Sequence, residues 1–269
     1  MGHSRHCPQT CQAKPRLICS HDEAREGRQL KRHPAPRWTR RQWLQHAVAA
    51  APTLGLAASL GTPARGQGPR AVDLQLVLAV DCSLSIDDGE YRLQAEGIAS
   101  AFDHPGVLRA IVGGEHGAIA VAYVEWAGPR EHKISLSWTL IDGFAASHRF
   151  ADAVRRLSRA FRGDATSIGA ALDFCRPLFA TSHLRATRQT IDISSDGTNN
   201  AGRFPAGARD ETVAAGITIN ALPILSDIAG LDGYFRDEVI GGTGAFVLPA
   251  LDFDSFGHAI RAKLIREIS

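Results

Sequence analysis

Between Val77 and Tyr91 the chain reads VLAVDCSLSIDDGEY, an apolar run that ends in Asp81, Ser83 and Ser85, spaced two apart. Alternate residues of an extended stretch point to the same side. One carboxylate and two hydroxyls therefore emerge together where a strand opens into a loop. Two chemistries fit. Ser and Asp gather before helices because their oxygens accept the unpaired amides of the first turn. The same oxygens are hard ligands, and with no Cys or His among them they suit Mg2+ or Mn2+ better than zinc.

Further polar residues belong to the same question. Thr166 opens the stretch TSIGAAL, ahead of Gly169, and Asp196 leaves the run IDISSDG, followed by Gly197, Asn199 and Asn200. Capping explains one or two of these residues but not three clusters, which favours a single cation held by Asp81, Ser83, Ser85, Thr166 and Asp196. Glu125 and Trp126 close another apolar run as candidate rim residues, with simple packing the alternative for the Trp. Asp192, in mid-run, requires a partner, because an unpaired buried charge is costly; it is a structural carboxylate or an outer anchor of the site. Asn199, Asn200 and Gly202 either shape their loop by turn chemistry or contact a ligand.

The elements that must position these residues alternate in type. LQLVLAV (74–80) is the continuous apolar run of a strand buried on both faces. A helix follows, with Asp87 or Ser85 as cap and Tyr91, Ala95, Ile98 and Phe102 on one stripe, and His104-Pro105-Gly106 ends it. Residues 117–128 and 132–141 are two strands at hairpin spacing, so one of them is antiparallel to the rest. Stripes at Phe150, Val154, Leu157, Phe161 and at Ile168, Leu172, Cys175, Phe179 predict two helices. After the strand at 190–197 come a helix with Pro205 near its first turn, the strand ITINALPI, the short helix LDGYFRDEVI and a last strand, GAFVLP. A closing helix carries Phe253, Phe256, Ile260 and Leu264. The predicted class is α/β, a mostly parallel central sheet of about six strands with helices on both faces. Ligands of such sheets bind beyond the strands' carboxyl ends.

Asp81-x-Ser83-x-Ser85, then Thr166, then Asp196-Gly197, in that order on an α/β chain, resembles the metal-ion-dependent adhesion site of von Willebrand factor A domains. The resemblance implies a Rossmann-like three-layer sandwich with one antiparallel edge strand. It implies Ser83, Ser85 and Thr166 as direct ligands of one ion, with Asp81 and Asp196 acting largely through water and a partner's acidic group completing the shell. AYVEWAG, WTLID, IDISSDGTNN, GITINALPI and VIGGTGAFV are similar, more narrowly, to the bacterial domain of unknown function 1194 family, exported von Willebrand A-like proteins without an assigned activity. That resemblance transfers a fold and a metal site, not a function.

The front of the chain differs in charge. Residues 1–67 carry a net charge of +8 and residues 68–269 a net charge of −6, so the mildly basic total hides an acidic body, which argues against nucleic acid as partner. WTRRQWLQHAVAAAPTLGLAASLGTPARGQ (38–67) has a charged start, an uncharged middle and a small-residue exit, the pattern of an export signal. Its Arg40–Arg41 pair resembles a twin-arginine signal, which implies export of a folded protein to the periplasm or beyond and only transient membrane contact. A retained anchor is the alternative, since the run is long enough to span, although Gln45, His46 and Pro52 weigh against it. The predicted organisation is a basic leader over 1–67 and one domain over 68–269. Cys7, Cys11 and Cys19 fall in the leader; Cys82 and Cys175 read as core residues, with a disulfide between them as the alternative.

No G-x-S-x-G elbow, P-loop or H-E-x-x-H motif is present, and the histidines of the body fall in loops or on polar helix positions. The leading reading is an exported module that captures a partner's carboxylate at a Mg2+ or Mn2+ site. The rival is a metal-dependent hydrolase, for which Glu125 and Asp192 are the candidate bases. A third reading leaves the ion purely structural, clamping three loops.

Overall fold

A computed structural model describes residues 69–269. The basic leader, its Arg40–Arg41 pair and the three cysteines within it lie outside the described residues.

The first long strand, β2 (Leu74–Asp81), is buried at every position, as its unbroken apolar run requires, and β3 (Ile119–Trp126) is likewise buried throughout. A short strand β1 (Ala71–Val72) precedes them and pairs separately with β5 (Arg185–Ala186). With β4 (His132–Ile141), β6 (Gln189–Ser195) and β7 (Thr218–Pro223), the main sheet has the order β4-β3-β2-β6-β7. All its pairs are parallel except β3–β4, the hairpin, whose outer strand forms the antiparallel edge.

The sheet therefore has five strands rather than six. The expected sixth, GAFVLP, runs beside β7 and exchanges bonds with it: Ala221 N donates to Phe246 O at 3.1 Å, and Leu248 N to Ala221 O at 3.0 Å. Only isolated bridges form. Positive φ at Gly242 and Gly244 breaks the extended run at its start, and Pro249 has no amide to give a ladder.

Helices cover both faces. On one side, α1 (Asp88–Asp103), α2 (Pro105–Val112), α3 (Phe144–Arg155) and the closing α7 (Phe253–Ile268) pack on Leu74, Leu76, Leu78 and Val80. On the other, α4 (Ile168–Cys175), α5 (Pro205–Ala214) and the short α6 (Leu231–Tyr234) pack on Val77, Ala79, Ile191 and Ile193. Alternation along β2 sends its side chains to the two cores in turn. Cys82 and Cys175 are both buried and unbonded to each other, and Cys82 Sγ contacts the Trp126 carbonyl at 3.3 Å.

Two local departures matter for the site. Asp87, not Ser85, caps α1: its Oδ1 accepts from Gly89 N at 2.6 Å and Glu90 N at 2.8 Å, while Glu90 Oε2 accepts from Asp87 N at 2.7 Å. This capping box leaves Ser85 free for another role. The expected helix through Phe161 stops at Arg155, and Leu157 and Phe161 reach the core from an irregular segment instead. The amide of Ala160 is drawn out of any helical ladder by the buried carboxylate of Glu125, whose Oε1 accepts it at 2.9 Å.

Candidate metal centre

Because β2 and β6 are parallel neighbours, their carboxyl ends deliver Asp81 and Asp196 to the same edge of the sheet. Asp81 is fully buried and bends the loop back on itself. Its Oδ1 accepts from Ser83 N at 2.8 Å and its Oδ2 from Ser195 Oγ at 2.5 Å. That turn sets Ser83 Oγ 3.3 Å from Ser85 Oγ and 3.3 Å from Thr166 Oγ1, while Ser85 Oγ donates to Asp196 Oδ1 at 2.9 Å. The five residues predicted as one centre are thus brought together from three separate loops.

Thr166 arrives through bonds made elsewhere. Ser167 N donates to Ala127 O at 2.9 Å, anchoring the entry to α4 on the β3–β4 hairpin. Asn200 exchanges two bonds with Thr166: its Oδ1 accepts the Thr166 amide at 2.8 Å and its own amide donates to the Thr166 carbonyl at 2.9 Å. Asn199 Oδ1 accepts from Gly169 N at 3.2 Å. The two asparagines cap the start of α4 from a distant loop, which is turn and cap chemistry. Gly169 is required by this closeness, since a Cβ there would lie 2.2 Å from the Arg203 carbonyl oxygen. Gly197 is not required in that way: a Cβ would meet Thr166 only at 3.6 Å.

The electrostatics are lopsided. Burial, reinforced by the nearby Asp196 carboxylate, pushes Asp81 up to about 7, and burial also raises Asp196, with Glu90 and Asp227 adding repulsion. Two buried carboxylates at one edge oppose each other's ionisation, an opposition that a cation would relieve. The donor set fits a hard divalent ion on that ground and on spacing. Metal–oxygen bonds of about 2.1 Å place adjacent corners of an octahedron about 3.0 Å apart, against the 2.9 to 3.3 Å between neighbouring oxygens here. Ser83 Oγ also sits farther from Ser85 Oγ and from Thr166 Oγ1 than the usual hydroxyl hydrogen bond of about 2.8 Å. Among the described residues no group of three His, Cys, Asp or Glu side chains is arranged to hold a metal ion, so hydroxyls carry much of the set.

The rim candidates are placed differently from expectation. Trp126 is fully buried and packs with Val77, Ala79 and Val124, so it is core, because the hairpin beyond it covers the strand end. Glu125 is also fully buried and faces the opposite side of the sheet. Its carboxylate accepts from Tyr91 Oη at 2.9 Å, from Ala160 N and from Ser135 Oγ. Asp192 lies deep in β6, with Lys263 Nζ of α7 2.6 Å from its Oδ1 and 2.6 Å from Glu267 Oε1. Only the Lys263–Glu267 contact is aligned as a hydrogen bond. Asp192 is therefore a strut between sheet and helix.

Three contributors escape sequence reading. Ser195 holds Asp81, Gln94 Nε2 donates to the Asp81 carbonyl at 3.3 Å, and Tyr234 Oη accepts the Asn199 amide at 3.1 Å. Only Ser195 had a local signal, as the neighbour of Asp196 in ISSDG.

Several solved structures share this architecture. Proximal thread matrix protein 1 from the mussel byssus matches at a TM-score of 0.57 and 15% identity, over 73% of this chain and 48% of that one. A form of the same protein with a zinc-occupied MIDAS motif matches at 0.53 and 16%, over 74% and 48%. A von Willebrand factor type A protein from Catenulispora acidiphila matches at 0.52 and 14%, over 73% and 43%. The chain spans about half the length of the byssus protein it matches. At these identities the likeness shows the fold, which is that of a von Willebrand A domain. No curated protein matches. The family model described as protein of unknown function, DUF1194, matches residues 71–269, nearly all of the described structure, and the chain belongs to that family.

Proposed function

We propose that this protein is an exported binding module that holds one Mg2+ or Mn2+ and captures an acidic group of a partner protein. Ser83, Ser85 and Thr166 are the direct ligands, and Asp81 and Asp196 act through water or as alternates. The observation that carries the reading is the meeting of three hydroxyls and two buried, repelling carboxylates at one sheet edge, where Ser85 is exposed. A bound cation supplies the attraction for a carboxylate from outside.

The surroundings support a protein partner over a small substrate. Surface cavities of about 300, 380 and 710 Å³ lie elsewhere on the domain, lined by none of the five ligands. Leu84, set between the two serines, is 60% exposed, and Phe204, on the loop that follows Asp196, is 80% exposed. Such apolar groups beside a polar centre suit protein contact. One structurally similar protein is a pilus adhesin, SpaC from Lactobacillus rhamnosus GG, matched at a TM-score of 0.53 and 14% identity over 73% of this chain and 30% of that one.

Hydrolysis is the weaker reading because neither candidate base is reachable. Glu125 is spent on three donors, and both Asp192 oxygens are buried. Export to the periplasm or beyond rests on the Arg40–Arg41 signal ahead of a single domain over 68–269. No helix of the described residues is long and apolar enough to cross a membrane.

Water-proton relaxation on the Mn2+-loaded protein tests carboxylate capture. A short peptide with blocked ends and one Glu is expected to lower the enhancement by displacing metal-bound water, and its Gln counterpart to leave it unchanged. Equal behaviour of the two peptides contradicts the reading.

A further inference from the structure

The loop that carries Ser83 and Ser85 is held by a segment with no regular structure of its own, residues 156–167. Leu84 N donates to Gly163 O at 2.7 Å. The Arg159 guanidinium does more. Its Nε and Nη2 donate to the Cys82 carbonyl at 3.2 and 3.0 Å, and Nη2 also donates to the Ser83 carbonyl at 2.6 Å. Its Nη1 reaches Asp88 Oδ1 at 3.3 Å. The Arg159 side chain is only 4% exposed, whereas Asp88 is 47% exposed, so a buried charge is committed mainly to two backbone carbonyls. The next residue, Ala160, is pinned by Glu125, which Tyr91 and Ser135 hold in turn.

A guanidinium offers a rigid fork of donors that an ammonium cannot reproduce. We propose that Arg159 is a positioning residue of the cation site. It turns the Cys82 and Ser83 carbonyls away from the centre, so that the Ser83 and Ser85 hydroxyls are the oxygens that face Thr166 and Asp196. Glu125 seats the segment from which Arg159 reaches. The inference rests on the reading of those hydroxyls as cation ligands.

Electrostatics alone demands the opposite outcome, which makes the sign decisive. Arg159 is a positive charge beside a site for a positive ion, so removing it should tighten cation binding if charge were its whole effect. Positioning requires that removal weaken binding, by about 10-fold or more, the usual loss when a group supporting metal ligands is deleted.

The test is Mn2+ titration of the full chain, read from the electron paramagnetic resonance signal of the free ion. Alongside it, the metal-free melting temperature of each variant reports folding. Arg159→Ala is expected to bind Mn2+ about 10-fold more weakly, and Arg159→Lys to recover part of that loss through its one nitrogen, which lacks the guanidinium fork. Arg162→Ala, which removes the other arginine on Asp88 from an exposed position, is expected to leave affinity unchanged. Unchanged or tighter binding in Arg159→Ala overturns the proposal, as does an equal loss in Arg162→Ala. Should Arg159→Ala not fold, Arg159→Lys decides alone: full parental affinity there overturns the positioning role. Absence of Mn2+ binding by the parent overturns the cation reading itself and this inference with it.

Discussion

Asp81 combines a strand end, complete burial and a second carboxylate across the centre, and its protonation follows from those three facts. Its ordinary value is 3.8 and its folded value about 7, so between these the metal-free native state binds more protons than the unfolded chain. Stability of the metal-free protein is therefore expected to fall as pH rises from about 4 to about 7. Asp81→Asn is expected to flatten that slope, because the amide keeps one acceptor and carries no charge; urea unfolding in chelator at several pH values checks it. An unaltered slope in the variant would show that Asp81 is not its source. That Asp81, Ser83, Ser85, Thr166 and Asp196 gather at one edge was legible in the sequence because Asp-x-Ser-x-Ser is a local pattern and the other two clusters sit at element boundaries. Arg159 and Gln94 were not, since each acts on residues 13 or more positions away and looks like any polar residue in its own surroundings. Trp126, left open between rim and packing, is core for a related reason: the cover that buries it comes from the hairpin beyond the strand.

At the scale of elements, the sheet is tied to α7 by a buried cluster of Asp192, Lys263 and Glu267. Burial and the Glu267 charge raise Asp192 despite the Lys263 ammonium, to about 8. Lys263→Met strands two carboxylates in the interior, and breaking a buried pair typically costs about 3 to 5 kcal/mol. The loss is expected to be larger at pH 9, above the raised Asp192 value, than at pH 5, where that carboxyl holds a proton; denaturant unfolding at the two pH values measures both. A second element-level outcome concerns the start of α4. Gly169→Ala forces a methyl group into the Arg203 carbonyl, and overpacking of this kind costs about 1 to 3 kcal/mol. It is also expected to weaken Mn2+ binding, because Thr166 and the Asn199–Asn200 loop lose their close approach. Parental stability in Gly169→Ala would show that the loop yields at no cost. Strand and helix types were legible from apolar periodicity, which burial imposes directly. The sixth strand was not, because its apolar run is real while its glycines and proline deny it a ladder. The early end of α3 was hidden too, since the Ala160 amide leaves the helix for a carboxylate 35 residues away.

At the largest scale the described residues form an acidic body built on a five-stranded sheet, with two cores on opposite faces and a polar centre at the carboxyl edge, where parallel strands deliver their loops together. That placement was legible from alternation of elements alone. A centre that joins three loops should also stabilise the fold when filled, since a ligand that binds only the native state adds stability by mass action. Thermal unfolding of the protein in chelator, Mg2+ and Mn2+, beside Asp81→Ala, tests the cation site most directly. At 100 times its dissociation constant an ion adds about 2.7 kcal/mol, which for a domain near this size raises the melting temperature by roughly 5 to 10 °C. The expected result is that rise in the parent and its loss in Asp81→Ala. An unchanged melting temperature in the parent, or an equal rise in the variant, would contradict a cation held by Asp81, Ser83, Ser85, Thr166 and Asp196.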